Sequence, residues 1–97
     1  MIYHVTTNAA WTAAKERGRY EHPSLEQEGF IHNCSREQLA GVLDRYYKNT
    51  GDLLLLHINE QLLEAELKYE LAASVNEEFP HVFGPINMDA VVNTEAL

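Results

Sequence analysis

Seven residues near the middle of the chain, Asp52-Leu53-Leu54-Leu55-Leu56-His57-Ile58, set the strongest condition on the fold. They make a continuous apolar run of strand length with no polar alternation, which marks a central strand whose two faces are both covered by protein. Periodicity alone leaves a buried helical segment open as the other reading of the same run. A chain of 97 residues buries roughly two thirds of its unfolded surface, so it has one modest core with which to cover that run. The run is well short of the roughly 20 apolar residues that span a bilayer. Met1-Ile2-Tyr3-His4-Val5 lacks the basic and apolar regions of a signal peptide, and the single cysteine, Cys34, cannot form an internal disulfide. The expectation is one domain, residues 1–97, with no membrane association and a cytoplasmic location.

The remaining segments supply the covering layers. Met1 to Thr7 is β-branched and aromatic, suiting a strand with Ile2, His4 and Thr6 on one face and Tyr3, Val5 and Thr7 on the other. Thr7 or Asn8 then caps an alanine-rich helix anchored by Trp11 and stopped at Gly18. Pro23 followed by Ser24-x-x-Gln27 reads as a capping box before a short helical turn, and Phe30 to Cys34 as the next strand. Ser35-x-x-Gln38 is a second capping box. The helix it opens, starting at Arg36, places Leu39, Val42, Leu43 and Tyr46 on one buried face and ends at Asn49 and Gly51. Beyond the central run, a single turn near Asn59 to Glu66 leads to three short strands, around Leu67–Leu71, His81–Ile86 and Met88–Leu97, with breaks at Asn76 to Pro80 and at Gly84-Pro85. The sum is an α+β fold: about six strands in a bent, mixed or antiparallel sheet with two main helices, a parallel pairing between the early strands remaining open.

Fifteen acidic against seven basic side chains give a net charge of −8, so the average surface repels nucleic acid and anionic membranes. The chemistry then rests on histidines. His4, His32 and His81 lie inside strand segments beside aromatic and small polar residues, while His22 and His57 lie outside them or at their ends. None has the spacing of a metal motif. The nearest arrangement is His32 with Cys34, two apart on one strand face, which could offer two ligands beside His4 or His81, or a thiol nucleophile beside an imidazole; no metal is expected. The turn after His32 invites an anion, since a helix start at Arg36 would aim free amides and a fixed positive charge toward Cys34 and Ser35. The plainer reading is an N-cap with Arg36 solvated. In Phe79-Pro80-His81-Val82-Phe83-Gly84, the histidine between aromatics could hold a ring or a sugar hydroxyl, and Gly84 would allow close approach of backbone or ligand.

Together, "IYHVTT", "GFIHNCSREQ", "KYE" and "FPHVFGPI", in this order and over nearly the whole chain, resemble the bacterial family catalogued as domain of unknown function 952. The resemblance implies an ADP-ribosyltransferase-like fold, a split, bent sheet with helices. By that likeness His4 corresponds to the first motif on a strand, His32 with Cys34 and Ser35 to the second, and the Phe79–Gly84 run to the third. His81 stands where transferases commonly carry an acid, with Glu70 as the nearest substitute; Cys34 takes the place of a serine, and Phe83 that of a tyrosine.

Two functional classes follow from the resemblance and the residues together. The first is an enzyme or degenerate enzyme holding NAD, ADP-ribose or another nucleoside phosphate, with His32, His81 and Glu70 as catalytic groups. His4, Thr6, Cys34, Ser35, Arg36, Phe83 and Gly84 would be its ligand-binding groups, with Phe83 or Tyr3 stacking on a ring and NAD the cofactor in view. Histidine suits that role because it both donates and accepts hydrogen bonds near neutral pH. The second is a noncatalytic module for a small ligand or a protein, with a structural histidine cluster and a contact patch at Tyr46 and Tyr47.

Overall fold

The apolar run forms a strand, not a buried helix, in a computed structural model that describes residues 1–97. In chain order the elements are β1 (Ile2–Thr7), α1 (Asn8–Arg17), β2 (Arg19–Tyr20), α2 (Ser24–Glu28), β3 (Ile31–His32), α3 (Leu39–Tyr46), β4 (Leu53–Ile58), β5 (Glu66–Ala72), β6 (Glu77–Phe83), β7 (Ile86–Asn87) and β8 (Val91–Ala96). Short 3-10 turns at Glu60–Leu62 and Met88–Ala90 flank the second half. The strands pair as β1-β4-β8 and β3-β6-β5, with β2-β7 as a separate two-residue ribbon. Every pairing is antiparallel, so the parallel pairing left open by the early β-α-β order does not form. After α1 the chain enters the β2 ribbon instead of lying alongside β1.

An antiparallel bridge joins the two larger sheets. The Tyr3 amide donates to the Cys34 carbonyl and the Cys34 amide to the Tyr3 carbonyl, both at 2.8 Å. The sheet therefore runs β8-β4-β1, then through this short seam to β3-β6-β5. The α+β class with antiparallel sheets matches the sequence reading, and the extra strands are the two-residue β2 and β7, too short to carry a period of their own.

Leucine alternation on β4 builds a core on each side. Leu54, Leu56 and Ile58 pack with Ile2, Ala14, Tyr20, Val82, Ile86 and Ala90. Leu53 and Leu55 pack with Val5, Cys34, Leu39 and Phe79 on the opposite face. Leu55 and Leu56 are fully buried, each contributing about 1.5–3 kcal/mol of transfer free energy. Thr7 is the α1 cap, its Oγ1 accepting from the Ala10 amide at 3.1 Å, and Gly18 ends the helix in the left-handed conformation at φ 88°.

Four local expectations need correction. Ser24 does not form a capping box, because His22 Nδ1 takes the Ser24 amide at 3.1 Å and lies 2.9 Å from its hydroxyl. The Ser35–Gln38 box does form, with Gln38 N–H on Ser35 Oγ at 3.2 Å and Ser35 N–H on Gln38 Oε1 at 2.9 Å. It closes a turn, however, and α3 begins only at Leu39. Tyr46 is 67 % exposed; the face of α3 that packs on the core runs through Leu39, Val42 and Leu43 to Tyr47. Finally, β6 passes straight through Pro80. The Pro80 carbonyl accepts from Asn33 at 3.1 Å, so its hydrogen-less nitrogen faces that side too, just beyond the end of β3, where proline forgoes only the reciprocal bond.

Gly84 serves packing within the fold, since a Cβ there would stand 2.9 Å from the Cβ of Ala65. Gly84→Ala is expected to lower stability by roughly 1–3 kcal/mol in urea denaturation, with most of the loss recovered in an Ala65→Gly background. Full stability in the single variant would contradict that contact.

Candidate functional site

Strand register brings the imidazoles together. The β3–β6 ladder sets His32 directly opposite His81, with ring centroids 5.3 Å apart and edge to face. On the same face the β5–β6 ladder carries Lys68 opposite His81 and Glu70 opposite Phe79, and Glu70 reaches diagonally to His81. Glu70 Oε1 accepts from His81 Nδ1 at 2.7 Å, which fixes the ring's tautomer and leaves Nε2 as its open nitrogen. Phe30 stacks on the His81 imidazole at 4.0 Å and 14°, holding it flat. His32 has its own carboxylate, with Nε2 donating to Glu28 Oε2 at 2.9 Å. Two carboxylate–imidazole pairs thus stand side by side, one part-buried and one exposed.

His4 sits deeper and plays a different part. Its Nδ1 lies 2.6 Å from the His32 carbonyl, which can only accept, so Nδ1 carries a proton. Burial pushes its pKa down to about 4, so the ring is neutral and Nε2 is an acceptor. The Tyr20 hydroxyl, 2.8 Å away, donates to it, and Thr6 Oγ1, 2.9 Å from Tyr20, completes a closed chain. Burial likewise pushes Tyr20 up to about 12, so it keeps its proton. His22 meets His4 edge to face at 5.5 Å, and burial followed by the neighbouring His32 lowers its pKa.

These groups line one cavity of about 510 Å³ between β1, the β3–β6 pair and the C-terminal end of α3. That volume lies within the range of small-molecule sites. His4, His22, His32 and His81 supply its polar wall with Glu28 and Asn33; Tyr3, Tyr46, Tyr47 and Phe79 supply aromatic surface. Asn33 is 4 % exposed; its Nδ2 donates to the Ile31 carbonyl at 2.9 Å, and its Oδ1 is buried with no partner. A buried acceptor left unpaired costs about 1–3 kcal/mol.

Of the residues singled out in the sequence, His4, His32, Cys34 and His81 line the cavity, and Glu70 stands directly behind His81. Thr6 is buried behind His4 as Tyr20's partner. Ser35, Arg36, Phe83 and Gly84 lie outside the wall. The anion turn is filled by the protein itself, with the Cys34 amide on Tyr3, the Ser35 amide on Gln38, and Arg36 paired with Glu95 at 3.4 Å above the Tyr3 ring. Phe83 backs Phe30 at 5.4 Å, with Lys68 over its own ring. Cys34 is no activated nucleophile, because burial pushes its thiol up to about 11. No group of three His, Cys, Asp or Glu side chains converges as metal ligands would. Asn33 and His22 escaped the sequence reading. Asn33 left one faint signal, a residue type depleted in strands within a strand segment; His22 left none, since its position depends on the α1–α2 connection.

The family model described as "Protein of unknown function (DUF952)" matches residues 5–94. Among solved structures, the crystal structure of protein CC0527 from Caulobacter crescentus is similar, with a TM-score of 0.87 and 29% identity over 97% of this chain and 82% of that one. A double-mutant crystal form of the same protein gives 0.86 at 28% over 97% and 82%. Its solution NMR structure gives 0.84 at 30% over 99% and 83%. No curated protein matches the sequence.

The depressed His4 pKa makes stability depend on pH with a definite sign. The unfolded chain takes up the proton near 6.5 and the folded chain only near 4, so the contribution is full above 6.5 and is lost as pH falls toward 4. The difference corresponds to roughly 3 kcal/mol, and His22, also lowered, acts in the same direction. An NMR titration should place the His4 ring midpoint near 4, with unfolding free energy declining between pH 6.5 and 4. A His4 midpoint at 6.5 would contradict its buried, neutral state.

Proposed function

The chain belongs to the DUF952 family, and from the geometry of its cavity we propose that it binds a nucleoside-type ligand: the ribose and ring portion of NAD, ADP-ribose or another nucleoside phosphate. The observation that carries this reading is the convergence of His32 and His81, with Glu70 behind, on one aromatic-walled cavity. Ribose hydroxyls donate and accept, which imidazole and amide groups can reciprocate, and aromatic faces suit a planar base.

The Glu70–His81 pair also supports catalysis. A carboxylate on Nδ1 orients the imidazole and fixes its tautomer, so that Nε2 is the nitrogen able to take a proton from a hydroxyl or from water held in the cavity. A sheet split at the Tyr3–Cys34 seam, with a cavity beside the split, is in keeping with an ADP-ribosyltransferase-like core. Within that reading His4 is a positioning residue: both its nitrogens are engaged, and it acts through the His32 carbonyl. Direct contact with the ligand passes to His32 and His81.

Titration of the 15N-labelled protein with NAD and with ADP-ribose should shift the amides of His32, Asn33, Cys34 and His81. Ligand at a hundred times its dissociation constant should add about 2.7 kcal/mol of stability. Glu70→Gln should preserve most of the binding and weaken any turnover. Amide shifts confined to the outer surface around Lys68 and Phe83, or an unchanged melting temperature across a nucleotide panel, would overturn the reading.

A further inference from the structure

The charge of the cavity wall runs against a ligand that enters by its phosphates. No lysine or arginine lines the cavity, while the Glu28 carboxylate does, and the Glu70 carboxylate lies one hydrogen bond behind His81. Two guanidinium groups stack on wall rings without lining the cavity themselves, Arg36 at 5.3 Å over Tyr3 while paired with Glu95, and Arg45 at 5.7 Å over Tyr46. Tyr3, Tyr46, Tyr47 and Phe79 supply aromatic surface to the same wall. A cation gains from aromatic faces and from carboxylates together, and the chain's net charge of −8 raises its local concentration.

We propose that the cavity selects a small cationic group, a protonated amine or an aromatic ring bearing a positive nitrogen, and rejects anions of the same shape. This rests on the nucleoside reading only for the identity of the whole ligand; it adds that the portion admitted to the cavity is cationic and that phosphates remain outside. The titratable groups facing such a guest come from every surrounding element. Glu28 of α2 and Glu70 of β5 attract it. His32 of β3, His81 of β6 and His22 after β2 are compatible while neutral and repel it once protonated. His4 of β1 and Cys34 stay uncharged at neutral pH, and burial raises the pKa of the Tyr47 hydroxyl at the end of α3. Cation binding therefore strengthens as pH rises from acid to neutral, and anion binding weakens.

Three fragments sharing one ring test this on the intact protein: benzylamine, cationic at pH 7.5, benzyl alcohol and benzoate. NMR titration should rank benzylamine tightest, about tenfold or more over benzoate, with shifts at His32, Asn33 and His81. Glu28→Gln should weaken benzylamine about fivefold more than benzyl alcohol, the factor expected for one charge about 4 Å away through water. A flat or reversed ranking, or no response at these amides to any of the three, overturns the proposal. If the ranking holds while NAD and ADP-ribose leave the spectrum unchanged, the nucleoside reading fails and cation selection stands. Nucleotide binding at the same amides with a flat ranking leaves the nucleoside reading standing and overturns cation selection.

Discussion

Two reciprocal hydrogen bonds between Tyr3 and Cys34, each 2.8 Å, hold the two halves of the sheet together. His4 extends the seam, its Nδ1 meeting the His32 carbonyl at 2.6 Å, while the Asn33 amide beside it ties the second half together by meeting the Pro80 carbonyl of β6 at 3.1 Å. Everything else in the molecule is arranged around this short contact. On one side β1 continues into the leucine-rich β4 and its two cores; on the other β3 continues into the β5–β6 hairpin with its histidine and carboxylate. Because the seam is so short, the halves diverge beside it, and the cavity occupies the divergence. Removing the His4 imidazole would leave the His32 carbonyl without this partner, a loss of about 1–3 kcal/mol for a buried group, and the Tyr20 hydroxyl with Thr6 alone.

The seam also separates two kinds of histidine. His4 is fully enclosed, both nitrogens engaged, and neutral because burial opposes its charge. His81 has one nitrogen committed to Glu70 and the other open to the cavity, with a phenylalanine face holding the ring. The same side chain is therefore a strut on β1 and keeps one nitrogen free on β6, and the number of hydrogen-bond partners within the protein decides which.

What could be read from the sequence is what local signals govern. The unbroken Leu53–Ile58 run, the Thr7 cap and the Gly18 stop each depend on a few neighbouring residues, and each formed as expected. His32 and His81 stood out as strand histidines beside aromatics and Glu70 through the family resemblance, and period-two alternation then sets the three on one face. The failures are long-range. Tyr46 and Tyr47 both continue the spacing from Leu39 and Leu43, and only the packing of α3 on β4 and β1 exposes the first and covers the second. Ser35 and Arg36 look like an anion site until Glu95, from the opposite end of the chain, claims the guanidinium. Likewise Gly84 looks available to a ligand until Ala65 fills the space. Asn33 is hidden for the same reason: an unpaired Oδ1 is a property of the surroundings and not of the residue.

The reactive pair depends on a hairpin more than on the core. β5 is an edge strand paired with β6 over seven positions, and half-exposed Glu70 reaches His81 diagonally across that ladder. Side chains alternate faces along a strand, so a one-residue slip of β5 would carry Glu70 to the far side of the sheet and bring Tyr69 or Leu71 toward the cavity. Two features oppose the slip. The turn between β5 and β6 holds Asn76 in the left-handed conformation at φ 55°, with the Asn76 and Val75 amides both donating to the Ala72 carbonyl. Leu67 packs against the core cluster that contains its cross-strand partner Val82, so a shifted register would expose apolar surface. The orientation of the His81 ring is thus set by a tight turn and a buried leucine that never touch it.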